Sequence, residues 1–380
     1  MPSLFASDTV YASAQACFEA SNQDFGEILT CYKKAEDFNP LIYTAKGSTL
    51  FPGVEKRSFD LASQQWSPQG LVSPVQWKHD VDIYIPDNAL HGQALLVANN
   101  GTPYAHGQRS SAGPTDFTEA QALGIAKKTR TIVISVSNIP NQYLTYADDG
   151  ISRTEDAGVA HSWKLFLDTQ LPFMSVRLPM VVSMVKAMDL AQKELKPWQI
   201  DHFIVSGASK RGWAAWLAAI ADHRIKAIVP FVIDLLGMDK VLEHTYQSYG
   251  KNWPLAFFAY HHEGITQLIS TENFARLIKI EDPLSYLRTR YADRLEIPKY
   301  IVNASSDDFF LPDNTRFFST NCPDRKPCAS PPMPATTASV NSSRTRSFQS
   351  SIAGNRTAPA DNFSALESAP FATHHRVAIL

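Results

Sequence analysis

Ser209 stands where the chain passes from a predicted strand into a predicted helix. The apolar run at residues 203–205 predicts a buried strand, and the Ala- and Leu-rich residues 213–221 predict a helix. Gly207 allows a sharp turn between the two. A serine on such a turn points its hydroxyl out of the sheet, and the N-terminus of the following helix offers backbone N–H groups to a developing oxyanion. The pattern therefore predicts a nucleophile at Ser209.

The spacing of the glycines refines this prediction. Gly207, Ser209 and Gly212 form G-x-S-x-x-G, and Arg211 occupies the place of the second glycine in the commoner G-x-S-x-G. In a strand–turn–helix context the pattern is typical of the nucleophile elbow of α/β-hydrolases. The alternative is an ordinary turn in which Ser209 is the N-cap of the helix.

The order of the α/β-hydrolase triad, Ser, then Asp or Glu, then His, indicates where to look for the acid. Residues 298–304 predict a late strand that leads directly to Asp307. A carboxylate there would orient the histidine and stabilise its imidazolium form. We predict Asp307 as the acid, with Asp308 as its alternative. The competing interpretation is that Asp307 is a turn residue.

Two positions are candidates for binding the oxyanion. The residue after the nucleophile, Lys210, supplies one backbone N–H, and a loop after an earlier strand supplies the other. Residues 93–98 predict that strand, and Gly101 in the loop after it permits close approach of the backbone to a ligand. We predict Lys210 and Gly101 as the oxyanion residues, although a glycine here also suits a plain turn.

Composition narrows the class of protein. The chain has 380 residues, 44% of them hydrophobic, which is ample for a core, and its net charge of −2 gives no sign of nucleic-acid binding. No apolar run approaches the roughly 18 residues of a transmembrane segment. We expect a small-molecule or peptide substrate, no cofactor and no metal. His261, His262 and Glu263 could form a metal site, but solvated or lid-packing histidines are the favoured interpretation.

The N-terminal region bears on the cellular compartment. It lacks the basic residues and the long apolar stretch of a complete signal peptide, although it could be the remnant of one. Cys17 and Cys31 lie close together in this region. A disulfide between them would indicate an oxidising compartment, whereas free thiols would suit the cytosol.

The order of the predicted elements indicates a single α/β domain with an insertion. Residues 1–36 predict an N-terminal helical segment, and residues 37–318 alternate strands with helices, among them a long amphipathic helix from Arg177 to about residue 195. Residues 235–290 interrupt the alternation with aromatic residues and histidines. Such a composition is typical of an insertion that covers an active site, so we interpret this segment as a lid.

Several motifs resemble one known family, the PhoPQ-activated pathogenicity-related proteins. They are the elbow V-S-G-A-S-K-R-G-W-A-A-W, the run Ile139-Pro140-Asn141-Gln142, the cluster of Arg153, Glu155 and Asp156, the helix at 177–189, and residues 303–313. The resemblance covers roughly residues 35–318. It implies an α/β-hydrolase-like fold with serine-hydrolase geometry, a periplasmic or secreted location, an association with virulence and a poorly defined substrate.

The same resemblance leaves two roles open. Some members of the family are described as secreted regulators rather than enzymes. The elbow is also similar to that of glucuronoyl and acetyl esterases, in which the basic residue after the serine assists the oxyanion. Lys210 matches that basic position.

The sequence changes character after Phe318. Residues 319–380 are rich in Ser, Thr, Pro, Ala, Asn and Arg and show neither strand nor helix periodicity, which is typical of a disordered tail. An α/β-hydrolase still needs a last strand, a catalytic histidine and a closing helix at this point. No such pattern is recognisable, and His374 and His375 in the tail are not assigned to the site.

A shifted reading frame would account for the tail. If the gene encoded Phe-Phe-Tyr-Asp-Gln-Leu, loss of one base from the tyrosine codon would produce the residues from Phe317 to Cys322. The residues that follow fix two bases of each hidden codon. Residues 321–354 can then overlie a strand (K-T-L-R-V-A), a histidine loop (N-A-G-H-H-G) and an amphipathic helix. We interpret the tail as out of frame from near codon 319; a natural disordered tail is the alternative.

The resulting hypothesis is a serine hydrolase present here in damaged form. Ser209 would attack, a histidine would act as general base and Asp307 would orient it, which gives ester or peptide hydrolysis in the intact parent. The histidine codon would overlap residues 335–337. The chain as printed is therefore expected to be inactive and poorly stable. The rival hypothesis is a non-catalytic secreted signalling or interaction protein on the same fold.

Overall fold

A mixed sheet with helices on both faces positions the site. The structure is a computed structural model that describes residues 13–101, 113–141, 143–305 and 307–318. Its strands in these ranges are β1 (Ile42–Phe51), β2 (Val54–Gln65), β3 (Val72–Ser73), β4 (Gln76–Pro86), β5 (Gln93–Ala98), β6 (Ile132–Val136), β7 (Leu144–Tyr146), β8 (Ser152–Arg153), β9 (His202–Ala208) and β10 (Ile225–Phe231). Its helices are α1 (Ala14–Ala20), α2 (Ile28–Asp37), α3 (Glu119–Thr129), α4 (Glu155–Thr169), α5 (Arg177–Glu194), α6 (Lys210–Ala221), α7 (Met238–Ser248), α8 (Phe258–His262) and α9 (Glu272–Glu281).

The larger sheet has the strand order β1-β2-β4-β6-β5-β9-β10. Neighbouring strands are antiparallel from β1 through β6 and parallel from β6 through β10. A parallel half-sheet whose crossovers contain helices confirms the predicted α/β-hydrolase fold class. The carboxyl ends of β5, β9 and β10 meet at one edge, which is where ligands bind in open α/β sheets.

The helices cover the two faces of this sheet with separate apolar clusters. On one face Ala122 and Ala126 of α3 pack with Val97 and Val133. On the other face α5 and α6 pack within the main core. The prediction that α5 is amphipathic was wrong, because 14 of its 18 residues are buried. The helix packs against the sheet, against α2 and against the neighbouring α6, so that it has no solvated face along most of its length.

The predicted strand at 298–304 exists only in part. Lys299 pairs with Ile228, and Val302 pairs with Phe231, through two isolated parallel bridges. The position and the direction of the prediction are therefore right. In the described part of the chain this strand has a partner on one side alone, and it keeps few ladder hydrogen bonds. This edge of the sheet is therefore incompletely formed.

The segment predicted as a lid contains two kinds of structure. Its C-terminal part includes α9, which buries Phe274, Leu277 and Ile280 in the main core. Its aromatic part precedes α9, and there Trp253 packs against Tyr246 and Phe257. Phe257 and Tyr260 of the aromatic part also belong to the main core, so both parts of the segment are packed against the domain.

The N-terminal segment is attached by a disulfide. Cys17 of α1 and Cys31 of α2 are bonded to each other, which decides between the two states left open above. The second helix buries Ile28 and Leu29, so the pair of helices is joined to the core. Cys322 and Cys328 lie outside the described residues. None of the helices in the described ranges has the length and hydropathy needed to cross a bilayer.

Candidate active site

Ser209 occupies a strained backbone position between β9 and α6. Its φ of 53° and ψ of −125° are unusual for a residue with a side chain. The side chain accepts no hydrogen bond from the first turn of α6, so it does not serve as an N-cap. The helix itself begins at Lys210, three residues before its predicted start. These features are those of a nucleophile elbow.

The two glycines of the G-x-S-x-x-G pattern are required by the packing of the turn. A Cβ at Gly207 would lie 2.7 Å from the carbonyl carbon of Arg211. A Cβ at Gly212 would lie 2.7 Å from the backbone oxygen of Gly207 and 2.9 Å from Cγ2 of Ile233. Both Arg211 and Gly212 therefore lie against Gly207, and Gly212 also lies against Ile233, which leaves no space for a side chain at position 212.

The predicted oxyanion residues lie at the same edge of the sheet as Ser209. Ala98 at the end of β5 is paired with Gly207, so the chain leaves both strands side by side. Lys210 is the first residue of α6, where backbone N–H groups have no partner within the helix. Gly101 has a φ of +139°, and a Cβ there would lie 2.7 Å from Oδ1 of Asn138. The fold alone therefore explains why residue 101 is a glycine, and no ligand is needed for that explanation.

The side chain of Lys210, the residue after Ser209, forms ion pairs with two carboxylates. Lys210 is buried, and its Nζ lies 2.9 Å from Oε2 of Glu155 and 3.2 Å from Oδ2 of Asp156. Burial acts to lower the pKa of Lys210, but Asp156 and Glu155 outweigh it and raise that pKa overall. These two carboxylates therefore favour the charged form of the lysine that follows Ser209 in the chain. An ammonium has three donors, so two carboxylates do not exhaust its capacity.

Arg211 extends the same ion-pair network. Its Nη2 lies 2.6 Å from Oε1 of Glu155, and its Nη1 lies 3.0 Å from Oδ2 of Asp116. The residue is buried, and its pairing with these two carboxylates offsets the cost of burying a cation at this position. Glu155 thus joins the side chains of the two residues that follow Ser209.

Arg177 supports the first turn of α6 from the other side. Its Nη1 donates to the backbone oxygen of Lys210 at 2.8 Å, and its Nε donates to Oε2 of Glu281 at 3.1 Å. Its guanidinium also lies 4.2 Å from the ring centre of Trp213. Arg177 and Glu281 are both wholly buried, so this pair fixes the position of the elbow from within the core.

Arg153, which the resemblance grouped with Glu155 and Asp156, belongs to a different cluster. Its Nη2 lies 2.5 Å from Oδ2 of Asp149 and 3.3 Å from Oε1 of Glu263. The buried His161 is bonded to the same region, through Nδ1 to Glu263 at 3.0 Å and through Nε2 to Asp148 at 3.1 Å. Asp148, Asp149 and His161 lie close enough to one another to hold a metal ion. However, both ring nitrogens of His161 are already bonded, and Arg153 contributes a positive charge to the group.

The run His261-His262-Glu263 separates in the structure. Glu263 pairs with His161, whereas Nδ1 of His261 bonds to Oγ1 of Thr266 at 2.9 Å. The ring of His262 stacks on Phe258, with the ring centres 5.7 Å apart. The three side chains therefore do not share one ligand geometry.

The predicted acid, Asp307, lies in the loop after the last bridging strand. Its Oδ1 accepts hydrogen bonds from the backbone N–H groups of Phe309 and Phe310, both at 2.9 Å. Asp307 is half-buried, and its alternative Asp308 is exposed. Phe309 stacks on Phe257, with the ring centres 4.4 Å apart, so this loop packs against the aromatic part of the lid segment. The bonds of Oδ1 are those of a turn residue, which was the competing interpretation.

A second acid, which the sequence analysis did not assign to the site, lies beyond the end of β10. Asp234 is wholly buried, and its Oδ2 accepts a hydrogen bond from Oγ1 of Thr315 at 2.8 Å. Burial, with a smaller contribution from the charges of Asp307 and Asp313, raises the pKa of Asp234 to about 7 against the opposing hydrogen bonds from Thr315. In the sequence, this acid could have been noticed as the Asp directly after the apolar run at 225–233. That run predicts the strand that follows the one leading to Ser209.

The general base is not found among the partners of Ser209. No histidine of the described ranges is hydrogen-bonded to Ser209 or to Asp234. His244 bonds instead to Asp313 at 3.1 Å, and the buried His79 bonds to Ser63 at 2.9 Å. The predicted catalytic histidine, with its codon overlapping residues 335–337, falls outside the described residues.

A comparison with family models shows the family of this chain. A family model described as PhoPQ-activated pathogenicity-related protein matches residues 29–373. The match includes the elbow and continues past Phe318 into the tail. Autocrine proliferation repressor protein A of Dictyostelium discoideum is 34% identical over 282 residues, which cover 72% of this chain and 54% of that protein. The chain thus spans about half the length of the curated relative that it matches.

Solved structures of esterases are similar to this chain at low identity. An acetyl xylan esterase from Paenibacillus sp. R4 is 14% identical, with 78% of this chain and 84% of that chain covered and a TM-score of 0.49. Acetyl xylan esterase 1 from Thermoanaerobacterium sp. JW/SL YS485 is 14% identical, with 79% and 83% covered and a TM-score of 0.48. A glucuronoyl esterase from Solibacter usitatus is 13% identical, with 75% and 72% covered and a TM-score of 0.44.

Proposed function

The chain belongs to the PhoPQ-activated pathogenicity-related protein family, and within that family we propose that its site is built to hydrolyse ester or peptide bonds. One observation carries this proposal. Ser209 is held at φ 53° and ψ −125° between a parallel strand and a helix, and its side chain makes no capping bond. Backbone strain of this kind persists where the surrounding structure has a use for it.

The proposed reaction follows the serine-hydrolase scheme. Oγ of Ser209 forms a bond to the acyl carbon while a histidine takes its proton, and a carboxylate, Asp307 in the sequence prediction, orients the imidazole. The backbone N–H of Lys210, with that of Gly101, would bind the oxyanion of the tetrahedral intermediate. The histidine then protonates the leaving group, and water releases the acyl group from Ser209 in a second cycle.

The charge of Lys210 supports the same site. Lys210 is the first residue of α6, where the oxyanion would form, and Asp156 and Glu155 raise the pKa of its ammonium. A fixed positive charge in a water-poor environment stabilises negative charge better than it does in bulk water. A periplasmic or secreted location is part of the proposal, and the disulfide between Cys17 and Cys31 supports it.

A second candidate function is a non-catalytic secreted signalling or interaction protein. It is favoured by the name of the Dictyostelium discoideum relative, autocrine proliferation repressor protein A. The strained serine has no evident use in that case. The fold alone does not decide between the two candidates.

A fluorophosphonate probe separates the two candidates, because it reacts with activated serines. The chain as printed and a frame-restored chain, with one base inserted at codon 319, would be labelled side by side and assayed with p-nitrophenyl esters. We expect labelling of the frame-restored chain alone. Ser209→Ala should abolish it, and Ser206→Ala should not, because Ser206 Oγ only donates to the backbone oxygen of Val229. A folded frame-restored chain that takes no label would favour the signalling candidate.

A further inference from the structure

His161, a buried residue of α4, is bonded to two separate parts of the chain. Its Nδ1 lies 3.0 Å from Oε2 of Glu263, which directly follows α8 in the lid segment. Its Nε2 lies 3.1 Å from both carboxylate oxygens of Asp148, in the turn between β7 and β8. One imidazole ring on α4 therefore joins the lid segment to the β7–β8 hairpin.

The contacts of this ring require a proton on each of its nitrogens. Both partners are carboxylates, whose ionised oxygens can only accept hydrogen bonds. A neutral imidazole carries a single proton, so one of its nitrogens would direct a lone pair at a carboxylate. Burial acts to lower the pKa of His161, but the hydrogen bonds to Glu263 and Asp148 outweigh it and raise that pKa. The observed arrangement is therefore that of the imidazolium form.

Arg153 adds a second cation beside Glu263. Its Nη2 lies 3.3 Å from Oε1 of Glu263, so the two oxygens of that carboxylate are shared between Arg153 and His161. Burial acts to raise the pKa of Glu263, but His161 and Arg153 outweigh it and lower that pKa. The lid segment is thus attached here by an ionised carboxylate held between two cations.

The charged and titratable groups around His161 come from each of the segments that meet there. In the described residues, the groups that face it are Tyr146 of β7, Asp148, Asp149 and Arg153 of the hairpin, and Glu263 of the lid segment. Lys164 on α4 and His262 beside Glu263 act on the same carboxylates at longer range. Carboxylates provide the contacts of both ring nitrogens, so the protonated ring is favoured from both sides.

Helix α8 has a further polar contact with α4, and this one leads towards the elbow. The hydroxyl of the buried Tyr260 donates to Oδ1 of Asp156 at 3.4 Å. Asp156 in turn lies 3.2 Å from Nζ of Lys210, the residue after Ser209. The position of α8 therefore bears on the ion pair of Lys210.

We propose that Glu263 is a latch that holds the aromatic part of the lid segment against α4, and that the latch closes when both ring nitrogens of His161 are protonated. The stabilisation is fully present below the ordinary histidine pKa of about 6.5 and is lost as the pH rises through the raised pKa of the folded state. Above that pH α8 should move more freely, and with it the contact between Tyr260 and Asp156. This inference concerns the motion of a segment and holds whether or not the site hydrolyses esters.

Hydrogen exchange of the chain as printed tests the latch. Each measured rate would be divided into the rate of an unstructured peptide at the same pH, so that only the protection by structure remains. In the wild type we expect the protection of residues 249–263 to fall as the pH rises above about 6.5. Glu263→Gln keeps the size of the side chain and removes its charge. At about pH 6 it should lower this protection at least about tenfold, the loss expected for one hydrogen bond between charged groups, and it should abolish the pH dependence.

Glu272→Gln is the matched control in the same segment. Glu272 pairs with Arg276 on the surface of α9, and its side chain is 80% exposed, so its replacement should leave the protection of residues 249–263 unchanged. Equal protection of the wild type and Glu263→Gln at about pH 6 would overturn the proposal. A loss of the same size in Glu272→Gln would overturn it as well, because the charge of Glu263 would then have no special role.

A second readout uses the unaltered protein. Nitrogen NMR distinguishes a doubly protonated imidazole from the two neutral tautomers, and His161→Gln assigns the signals. We expect His161 to be doubly protonated at about pH 6.5, with a pKa that falls in Glu263→Gln. A neutral His161 in the folded wild type at that pH would overturn the proposal. Displacement of the Nε2 proton of His161 by micromolar Zn²⁺ would also overturn it, since the cluster with Asp148 and Asp149 would then be a metal site.

Discussion

The ammonium of Lys210, the residue that follows Ser209, lies 2.9 Å from the carboxylate of Glu155. Asp156 adds a second contact at 3.2 Å. The lysine side chain is 6% exposed, whereas the two carboxylates are between a quarter and a third exposed. The ion pair therefore joins a buried cation of the elbow to carboxylates that reach the surface. It is the first feature to test.

Replacement of Lys210 by Met should destabilise the fold by about 1–3 kcal/mol, because it leaves partly buried carboxylates without their cation. Denaturant unfolding measures this change. Lys164→Met is the matched control, because Lys164 pairs with Asp168 on the exposed side of α4 and an exposed pair contributes about 0.5 kcal/mol or less. Equal losses in the two variants would mean that the Lys210 pair makes no special contribution.

Gly207→Ala and Gly212→Ala should each cost at least about 2 kcal/mol, since the new Cβ would lie 2.7 Å from backbone atoms that have no room to move. Gly158→Ala is the control. Gly158 is inside α4, and a Cβ added there would meet no atom within 4 Å, so alanine should stabilise the protein by about 0.5–1 kcal/mol. Thermal unfolding of the three variants tests the packing of the elbow directly, and a tolerated Gly207→Ala would contradict it.

Much of the elbow could be predicted because its signals are local. The apolar run, the small residues and Ser209 stand within ten positions of one another, and each has a direct conformational consequence. The environment of α5 could not be predicted in this way. Arg177 and Lys186 suggest a solvated face, yet both are buried, since Arg177 pairs with Glu281 and Lys186 donates to the backbone oxygen of Asn39. The local periodicity of a sequence cannot reveal partners that lie more than 100 positions away along the chain.

The same limit explains why the burial of Asp234 could not be predicted. Asp307 fits the usual order of the triad residues along the chain, and the sequence alone offers no other criterion for choosing the acid. The burial of Asp234 depends on Thr315, which lies 81 positions away along the chain. Oδ1 of Asp234 is buried and has no hydrogen-bond partner in the described part of the chain, and this became visible only when the segments were packed together.

The stability of the printed chain should fall as the pH rises from about 4 to about 7. Asp234 has a folded-state pKa of about 7 against an ordinary value of 3.8, so between these values the folded state binds more protons than the unfolded state. The stabilisation from the protonated acid is fully present below pH 4 and is lost above pH 7. Asp234→Asn should remove the effect and be more stable than the wild type above pH 7, by up to about 4 kcal/mol.

Asp222→Asn provides the control of opposite sign. Burial opposes ionisation of Asp222, but Arg224 outweighs it and lowers the pKa to about 2. The stabilisation from ionised Asp222 is present above pH 4 and is lost as the pH falls through 2. Asp222→Asn should therefore be less stable than the wild type at neutral pH. Chemical unfolding at several pH values measures how the free energy of unfolding changes with pH in each variant. If this pH dependence were the same for Asp234→Asn and the wild type, the burial of an unpaired acid would be contradicted.

Removal of the disulfide between Cys17 and Cys31 should cost about 3 kcal/mol, because the bond closes a loop of some 15 residues in the unfolded chain. The double variant Cys17→Ser/Cys31→Ser should unfold at the same denaturant concentration with and without reductant. The wild type should shift to that value when it is reduced. If reduction leaves the wild type unchanged, the thiols are free in the protein as produced, and the support for an oxidising compartment is removed.

Sequencing of the gene across codons 310–345 is expected to show one further base near codon 319. Three observations lead to this prediction: the sheet continues past β10 only through two isolated bridges in the described residues, Asp234 lacks a donor for Oδ1 there, and the tail has no recognisable hydrolase ending. The family match is evidence on the other side, because it continues to residue 373. The frame-restored chain should be more stable than the printed one and should react with fluorophosphonate at Ser209. Confirmation of the printed frame, together with an intact mass that matches the printed chain, would mean that this protein has lost the hydrolase ending, and the signalling candidate would then be preferred.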